Sequence, residues 1–162
     1  MSDRHNVHAT GLVLGTMGML LRGPSGAGKS LLALALIEAW AAKGEEARLV
    51  SDDRVDIEPS RTGLVMHAPS AIAGLIELRG RGVVSRPYLD KATLHLVVDL
   101  VDDLARMPEE DEFATELFGV PVARCPVPRL SEGGSALHQM LLVGEALRVL
   151  STSKSRARQK TT

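Results

Sequence analysis

The chain has 162 residues, of which 44 % are hydrophobic and 24 % are charged, so it can form one globular domain of ordinary composition. Aromatic residues make up only 2 %, and the formal net charge is −1. This composition argues against a base-stacking platform and a polyanion-binding surface, so we expect no nucleic-acid partner.

The amino-terminal half predicts two short strands ahead of a glycine-rich loop. Residues 1–10 are polar and lack the apolar stretch of a secretory signal. Residues 12–14 and 17–22 are apolar and predict strands that turn at Gly15. The second strand leads directly into the loop at residues 23–30.

A helix and three strands are predicted next. Residues 29–42 are rich in Leu and Ala without Gly or Pro, which favours a largely buried helix, and Lys43-Gly44 supplies its end. The apolar run within this helix is too short to span a bilayer, so we expect a cytoplasmic protein with no membrane partner. Residues 47–50 predict a strand, and residues 55–58 and 64–67 predict a hairpin.

The second half has weaker signals. Residues 69–78 fit either a short helix or a loop that enters a strand, whereas residues 93–100 predict a strand. Residues 102–112 are acidic and should be exposed. Three prolines limit residues 121–128 to an edge strand or a loop. Residues 135–150 predict an amphipathic helix, and Cys125, the only cysteine, is expected to be a small buried hydrophobe.

Together these elements predict an α/β fold in which a P-loop-containing mixed β-sheet is flanked by helices. We find no repeat and no long linker, so residues 1–152 are expected to form one domain. Residues 153–162 are expected to be a disordered basic tail, because they contain four cations and no acid.

The glycine-rich loop matches the phosphate-binding pattern G-x-x-x-x-G-K-[ST]. Its glycines let successive backbone N–H groups face phosphate oxygens, and the helix amino terminus adds positive partial charge. Lys29 is expected to contact the β- and γ-phosphates, and Ser30 to ligate Mg²⁺. The predicted nucleotide-binding residues are Gly23, Pro24, Ser25, Gly26, Ala27, Gly28, Lys29 and Ser30.

A Mg-nucleotide site also needs a carboxylate at the end of a neighbouring strand, and two places offer one. Asp52 and Asp53 follow the strand after the first helix, and Asp99 ends the strand at 93–100. Two adjacent carboxylates can divide the work, one near the metal and one accepting a hydroxyl proton. Spacing therefore favours Asp52 and Asp53, although Asp99 stays open.

Four stretches resemble the catalytic domain of bacterial HPr kinase/phosphorylase, which phosphorylates a serine of the phosphocarrier HPr. V-H-A-T-G stands at residues 7–11 where the family has its His-Gly strand, and G-P-S-G-A-G-K-S is similar to the family's G-D-S-G-x-G-K-S. L-V-S-D-D-R-V-D-I at 49–57 resembles L-V-A-D-D-x-V-x-I. G-L-I-E-L-R-G-R-G at 74–82 resembles the signature around L-E-I-R-G-x-G.

The resemblance implies a role for each matching residue. Asp53 would be the catalytic base toward the acceptor serine, and Asp52 would either support the metal or orient the neighbouring groups. His8 would tune this acid–base centre. Glu77 would help to hold Mg²⁺, and Arg79 would steady either phosphate charge or the signature loop.

The implied function is an ATP- and Mg²⁺-dependent protein serine kinase that phosphorylates an HPr-type phosphocarrier of a bacterial phosphotransferase system. The resemblance makes residues 1–152 a P-loop kinase catalytic domain of the short, single-domain form. Near residues 126–134 the family has the loop R-P-G-R-N. Arg129 corresponds to one arginine of that loop and is a further predicted catalytic residue, whereas the second arginine and the asparagine are absent. We therefore expect weak or absent phosphorylase activity.

Three other functions are compatible with a phosphate-binding loop. A small-molecule P-loop kinase usually has an arginine-rich lid, but residues 102–120 contain one arginine, Arg106. A GTPase would need Asn-Lys-x-Asp, which does not occur. A non-catalytic ATP-binding sensor would have no need of Asp53. Whether the chain forms a homo-oligomer is left open.

Overall fold

The computed structural model describes residues 3–130 and 135–160. Within them the chain forms strands, two α-helices and two short 3-10 helices at Ser70–Ile72 and Glu110–Phe113. The strands and α-helices are β1 (His5–Val7), β2 (Thr10–Leu14), β3 (Met17–Arg22), α1 (Lys29–Ala42), β4 (Ala47–Ser51), β5 (Val55–Ser60), β6 (Gly63–His67), β7 (Leu75–Leu78), β8 (Gly82–Ser85), β9 (Lys91–Leu94), β10 (Leu96–Val101), β11 (Ala114–Leu117), β12 (Val120–Pro128) and α2 (Ala136–Gln159).

The central sheet has six strands in the order β11-β12-β10-β3-β2-β4. Strands β3, β10 and β12 are parallel, whereas β2 runs antiparallel to both β3 and β4, so β4 has the direction of β3. The sheet is therefore mixed, as predicted. The carboxyl ends of β3, β4, β10 and β12 meet at one edge, where open α/β sheets bind their ligands.

The two faces of this sheet are covered differently. Both α-helices pack on one face through an aliphatic cluster, and a second, antiparallel sheet with the order β1-β5-β6-β9 covers the other. The predicted α/β class with flanking helices is confirmed, and both helices lie on the same side. The helix-side cluster includes Leu32, Leu36, Val143 and Leu147, and the sheet-side cluster includes Val55, Ile57 and Met66.

Helix α1 has the predicted bounds, because its apolar residues pack into the core and the glycine after it ends the helix. Leu32, Leu36 and Ile37 are buried against the sheet. Gly44 follows with φ +77°, and its N–H donates to the carbonyl of Ala41 at 3.0 Å. This left-handed glycine satisfies a carbonyl that the helix end leaves without a partner.

The strand predicted at residues 93–100 is broken at His95 into β9 and β10, which belong to different sheets. Gly18 exchanges hydrogen bonds with His95: its N–H donates to Nδ1 at 3.0 Å, and its carbonyl accepts from the His95 N–H at 2.8 Å. A Cβ at Gly18 would lie 1.9 Å from the Thr93 carbonyl oxygen. The chain can change sheets here because Gly18 permits this close approach.

The expectation that residues 121–128 form only an edge strand or a loop was wrong for the first part of β12. Strand β12 lies between β10 and β11. Its pairing with β11 ends at Ala123, so Pro126 and Pro128 have only β10 as a neighbour. The later prolines therefore lie where the strand is an edge, and the first one, Pro121, is tolerated inside the sheet.

Helix α2 extends beyond the predicted end at Leu150 and reaches Gln159. Residues 153–159 are thus helical and exposed, in contrast to the disordered tail expected for 153–162. Lys, Arg, Ala and Gln favour helix, and Arg156 and Arg158 complement the negative helix end. Residues 161–162 lie outside the described part.

No helix in the described residues is both long enough and apolar enough to cross a membrane.

Candidate functional site

The glycine-rich loop joins the end of β3 to the start of α1. Gly26 and Gly28 have φ of +79° and +103°, which side chains rarely permit, and the Ala27 N–H donates to the carbonyl of Pro24 at 3.1 Å. A Cβ at Gly28 would also come within 2.9 Å of Leu130 Cδ1. The loop thus adopts the tight turn that its sequence pattern predicts.

Lys29 crosses the loop. Its Nζ donates to the carbonyls of Gly23 at 2.8 Å and Pro24 at 3.1 Å, and the residue is only 6 % exposed. Burial lowers the pKa of Lys29, while the charges of Asp53 and Asp52 act in the opposite direction. The ammonium is therefore bound by the loop carbonyls and lies within electrostatic range of the two carboxylates.

The Asp52 carboxylate connects three parts of the chain. Its Oδ1 accepts hydrogen bonds from the hydroxyls of Ser30 at 2.7 Å and Thr10 at 3.0 Å. Its Oδ2 accepts from the N–H of Glu77 at 3.1 Å. Asp52 therefore joins the helix start, strand β2 and strand β7 at one point.

Asp53 has a different environment and a strained backbone. Its φ of +66° lies in the left-handed region, which aspartate tolerates better than most residues. Its carbonyl accepts from the Ala9 N–H at 3.2 Å, and its N–H donates to Thr10 Oγ1 at 3.5 Å. Its carboxylate pairs with His8 Nε2. Adjacent carboxylates thus face different partners.

Strand pairing explains how this geometry arises. Gly11 pairs with Ser51 but Leu12 pairs with Leu49, so β4 has an extra residue, Val50, relative to β2. Such a bulge redirects the side chains that follow it. The bulge immediately precedes the Asp52–Asp53 pair, whose two carboxylates have different neighbours.

A cleft of ≈ 730 Å³ opens over the loop, a size that suits a nucleotide. It brings together most of the residues that the sequence predicted: phosphate-loop residues, the Asp52–Asp53 pair and the signature residues of β7. Its lining residues are Ser25, Gly26, Gly28, Lys29, Ser30, Leu31, Asp52, Asp53, Glu77, Leu78, Arg79 and Leu130.

Arg129 is placed differently. Its Nη1 donates to Asp102 Oδ1 at 2.7 Å. Among the described residues, the neighbouring Leu130 lines the cleft and Arg129 does not. Residues 131–134 of the altered loop lie outside the described part. The catalytic role of Arg129 therefore stays a prediction.

Metal-binding groups are few. Residues 3–130 and 135–160 contain no cluster of three or more His, Cys, Asp or Glu side chains arranged to hold a metal ion. A hard cation at this site would instead use the Ser30 hydroxyl and the Asp52 carboxylate, which already lie 2.7 Å apart, with Glu77 at the cleft wall. The predicted set of Ser30, Asp52 and Glu77 thus stays a prediction.

Asp99, the other candidate, lies between two arginines. Arg22 donates to its two oxygens at 2.7 and 2.8 Å, and Arg124 Nε donates to Oδ2 at 2.6 Å. Burial alone would raise the pKa of Asp99, but the hydrogen bonds and charges of the arginines outweigh it and lower the pKa below 3.8. Its oxygens are thus engaged by structural partners.

Sequence reasoning missed two residues of the site. Thr10 is fully buried and contacts both members of the Asp52–Asp53 pair, and Leu130 packs on Gly28. The position of Thr10, two residues after His8 on one strand, was an available signal. No sequence signal indicated Leu130, because its contact with Gly28 depends on the path of the chain after β12.

The order strand, glycine-rich loop, helix, with a carboxylate pair after β4, defines an α/β protein whose loop carries the P-loop sequence pattern. The family model described as "HPr Serine kinase C-terminal domain" matches residues 1–131. The chain belongs to this family.

Individual relatives agree with this assignment. The HPr kinase/phosphorylase of Clostridium novyi (strain NT) is 37 % identical over 124 residues, which cover 69 % of this chain and 38 % of the relative. That of Lacticaseibacillus casei (strain BL23) is 30 % identical over 140 residues, or 79 % and 42 %. The chain therefore spans less than half the length of either relative.

A solved structure covers nearly the whole chain. The Hpr(Ser) kinase/phosphatase from Coxiella burnetii superposes with a TM-score of 0.73 at 26 % identity, covering 95 % of this chain and 97 % of that one. At this coverage and TM-score, the fold of this chain is that of the solved kinase/phosphatase.

Proposed function

We propose that this chain is a protein serine kinase that transfers the γ-phosphate of ATP to a serine of an HPr-type phosphocarrier, with Mg²⁺ as cofactor and the cytoplasm as the expected compartment. The family supports a nucleotide-dependent kinase. Because the chain spans less than half of the C. novyi and L. casei relatives, their named activity supports the proposal only by similarity.

The observation that supports the proposal best is the division of partners within the Asp52–Asp53 pair. Asp52 is bound to the Ser30 hydroxyl, whereas Asp53 pairs with His8, and both line the cleft above Lys29. A pure nucleotide sensor needs a carboxylate near the metal but no second one with an imidazole partner. The arrangement suits removal of a proton from an acceptor.

The loop residues and Lys29 would bind the phosphates of ATP. Backbone N–H groups at the start of α1 face the anion, and Lys29 adds a formal positive charge. Ser30 and Asp52, with Glu77 at the cleft wall, would hold Mg²⁺, which when bound neutralises phosphate charge. Phosphoryl transfer depends mainly on such positioning and charge neutralisation.

Asp53 would act on the acceptor. As the serine oxygen bonds to the γ-phosphorus, the bond from that phosphorus to its bridging oxygen breaks and ADP leaves with the electron pair. The serine proton passes to Asp53, whose orientation His8 and Thr10 maintain. The cleft exposes Asp53, so a protein surface can present a serine to it.

The test combines the protein with Mg-ATP and an HPr-like carrier and measures the mass of the carrier. We expect a gain of one phosphate on a serine, and no gain when a chelator removes Mg²⁺ or when that serine is replaced by alanine. An unmodified carrier would contradict the proposal. Incubating phosphorylated carrier with inorganic phosphate tests the reverse reaction, which we expect to be weak.

A further inference from the structure

Strands β7 and β8 form a separate two-stranded hairpin next to the cleft. We infer that its outward face, made by Leu75, Glu77, Val83 and Ser85 and called here the hairpin face, docks the acceptor protein. This inference rests on the proposed function and names the surface that a protein substrate covers.

The strand register defines this face. Leu75 pairs with Ser85, and Glu77 pairs with Val83, so these four side chains point to the same side of the hairpin. The alternate residues Ile76 and Val84 point inward and pack against the helix-side core. One side of the hairpin is thus anchored in the core and the other faces solvent.

The apolar residues of the hairpin face are exposed. Val83 is 68 % exposed and Leu75 is 42 % exposed. Ile76, which follows Leu75 and points to the opposite side of the hairpin, is 1 % exposed. Leu75 and Val83 are diagonal neighbours across the strands, close enough for one partner side chain to touch both. A small apolar contact site results.

This contact site adjoins the reacting groups. Glu77, the direct cross-strand neighbour of Val83, lines the cleft, and its N–H donates to Asp52. A protein whose serine approaches Asp53 from the open side of the cleft would therefore cover Val83 and Leu75 as well. A free amino acid or a small hydroxyl compound would not reach them.

The charge at the tip of the hairpin specifies the partner further. Arg79 and Arg81 are exposed, and neither has an ion-pair partner within residues 3–130 and 135–160. Two unpaired guanidinium groups beside an apolar contact match an acceptor with apolar side chains near its serine and a carboxylate beyond them. Such charges act mainly by increasing the rate at which the two proteins associate.

The test replaces Val83→Glu and compares it with Val149→Glu. Val149 is also an exposed valine, at 58 %, but lies on α2 away from the hairpin. We expect Val83→Glu to raise KM for the carrier about tenfold, the effect of losing one central contact. Its kcat and its ATP hydrolysis without carrier should stay within about twofold of wild type, as should all constants of Val149→Glu.

Arg81→Glu provides a second, independent readout. We expect a higher KM for the carrier at low salt and a smaller difference from wild type at high salt. Equal KM values for wild type and Val83→Glu, or a KM difference between wild type and Arg81→Glu that is the same at low and high salt, would overturn the inference. If wild type leaves the carrier unmodified, the proposed function itself fails. This outcome is distinct from the KM results for Val83→Glu and Arg81→Glu, which test only the docking surface.

Discussion

Two parts of the central sheet, the end of β4 and the strand β10, carry aspartates with opposite surroundings. Asp53 after β4 has a side chain that is 64 % exposed and paired with His8 at the cleft, whereas Asp99 on β10 is 15 % exposed and bound by Arg22 and Arg124. An exposed carboxylate with a titratable partner can exchange protons with a bound acceptor. A carboxylate between two guanidinium groups holds strands together.

The comparison shows that an aspartate on or directly after an apolar strand is not by that position alone a catalytic acid or base. The partners are decisive, and they come from distant parts of the chain: His8 and Thr10 for the Asp52–Asp53 pair, and Arg124 for Asp99. Three experiments test whether the two aspartate sites differ in function as they do in structure.

Asp53→Asn should have the largest effect. Loss of a general base lowers the rate by roughly 10²- to 10⁴-fold, so kcat for carrier phosphorylation should fall within that range while ATP binding persists. Asp99→Asn is the matched control and should keep kcat within about threefold of wild type, since Asp99 does not line the cleft. Equal losses in both variants would contradict the comparison.

Asp99→Asn should instead reduce stability. Removing one partner of a partly buried ion pair should lower the free energy of unfolding by about 2 kcal/mol at pH 7. Because folding lowers the pKa of Asp99, its contribution is complete above pH 3.8 and is lost as the pH falls through the folded-state pKa. Urea midpoints at pH 7 and pH 3 measure this, and a difference that is the same at both pH values would refute it.

Thr10→Val should have the smallest effect of the three, because it removes hydrogen bonds and leaves both carboxylates in place. The Asp52–Asp53 pair loses a shared hydroxyl, and kcat should fall about tenfold, the equivalent of one or two lost hydrogen bonds. Thr10→Ser keeps the hydroxyl and should restore most of the rate. If valine and serine behave alike, Thr10 only fills space.

Much of the fold could be predicted from local patterns. Helix α1 from Lys29 to Ala42 and the hairpin of β5 and β6 follow from residues near in sequence. The change of sheet at His95 could not be predicted, because it depends on Gly18, which approaches Thr93 from a distant strand. The same applies to the interior position of Pro121, which depends on β11.

The candidate site divides in the same way. The phosphate-loop residues and the Asp52–Asp53 pair are local motifs, and the structure brings them to one cleft. The roles predicted for His8, Glu77, Arg79 and Arg129 depended on resemblance to the family. Sequence spacing could not reveal Leu130 on Gly28 or Asp102 beside Arg129, since both contacts arise where β12 and β10 end side by side.

The left-handed backbone at Asp53 limits which replacements the position can accept. Aspartate, asparagine and glycine tolerate a φ of +66°, whereas valine, isoleucine and threonine do not. Chain geometry therefore restricts the position, the proposed acid–base role restricts it independently, and aspartate satisfies both. A lineage that abandoned catalysis while keeping this fold would be expected to accept asparagine or glycine at position 53 before any branched residue.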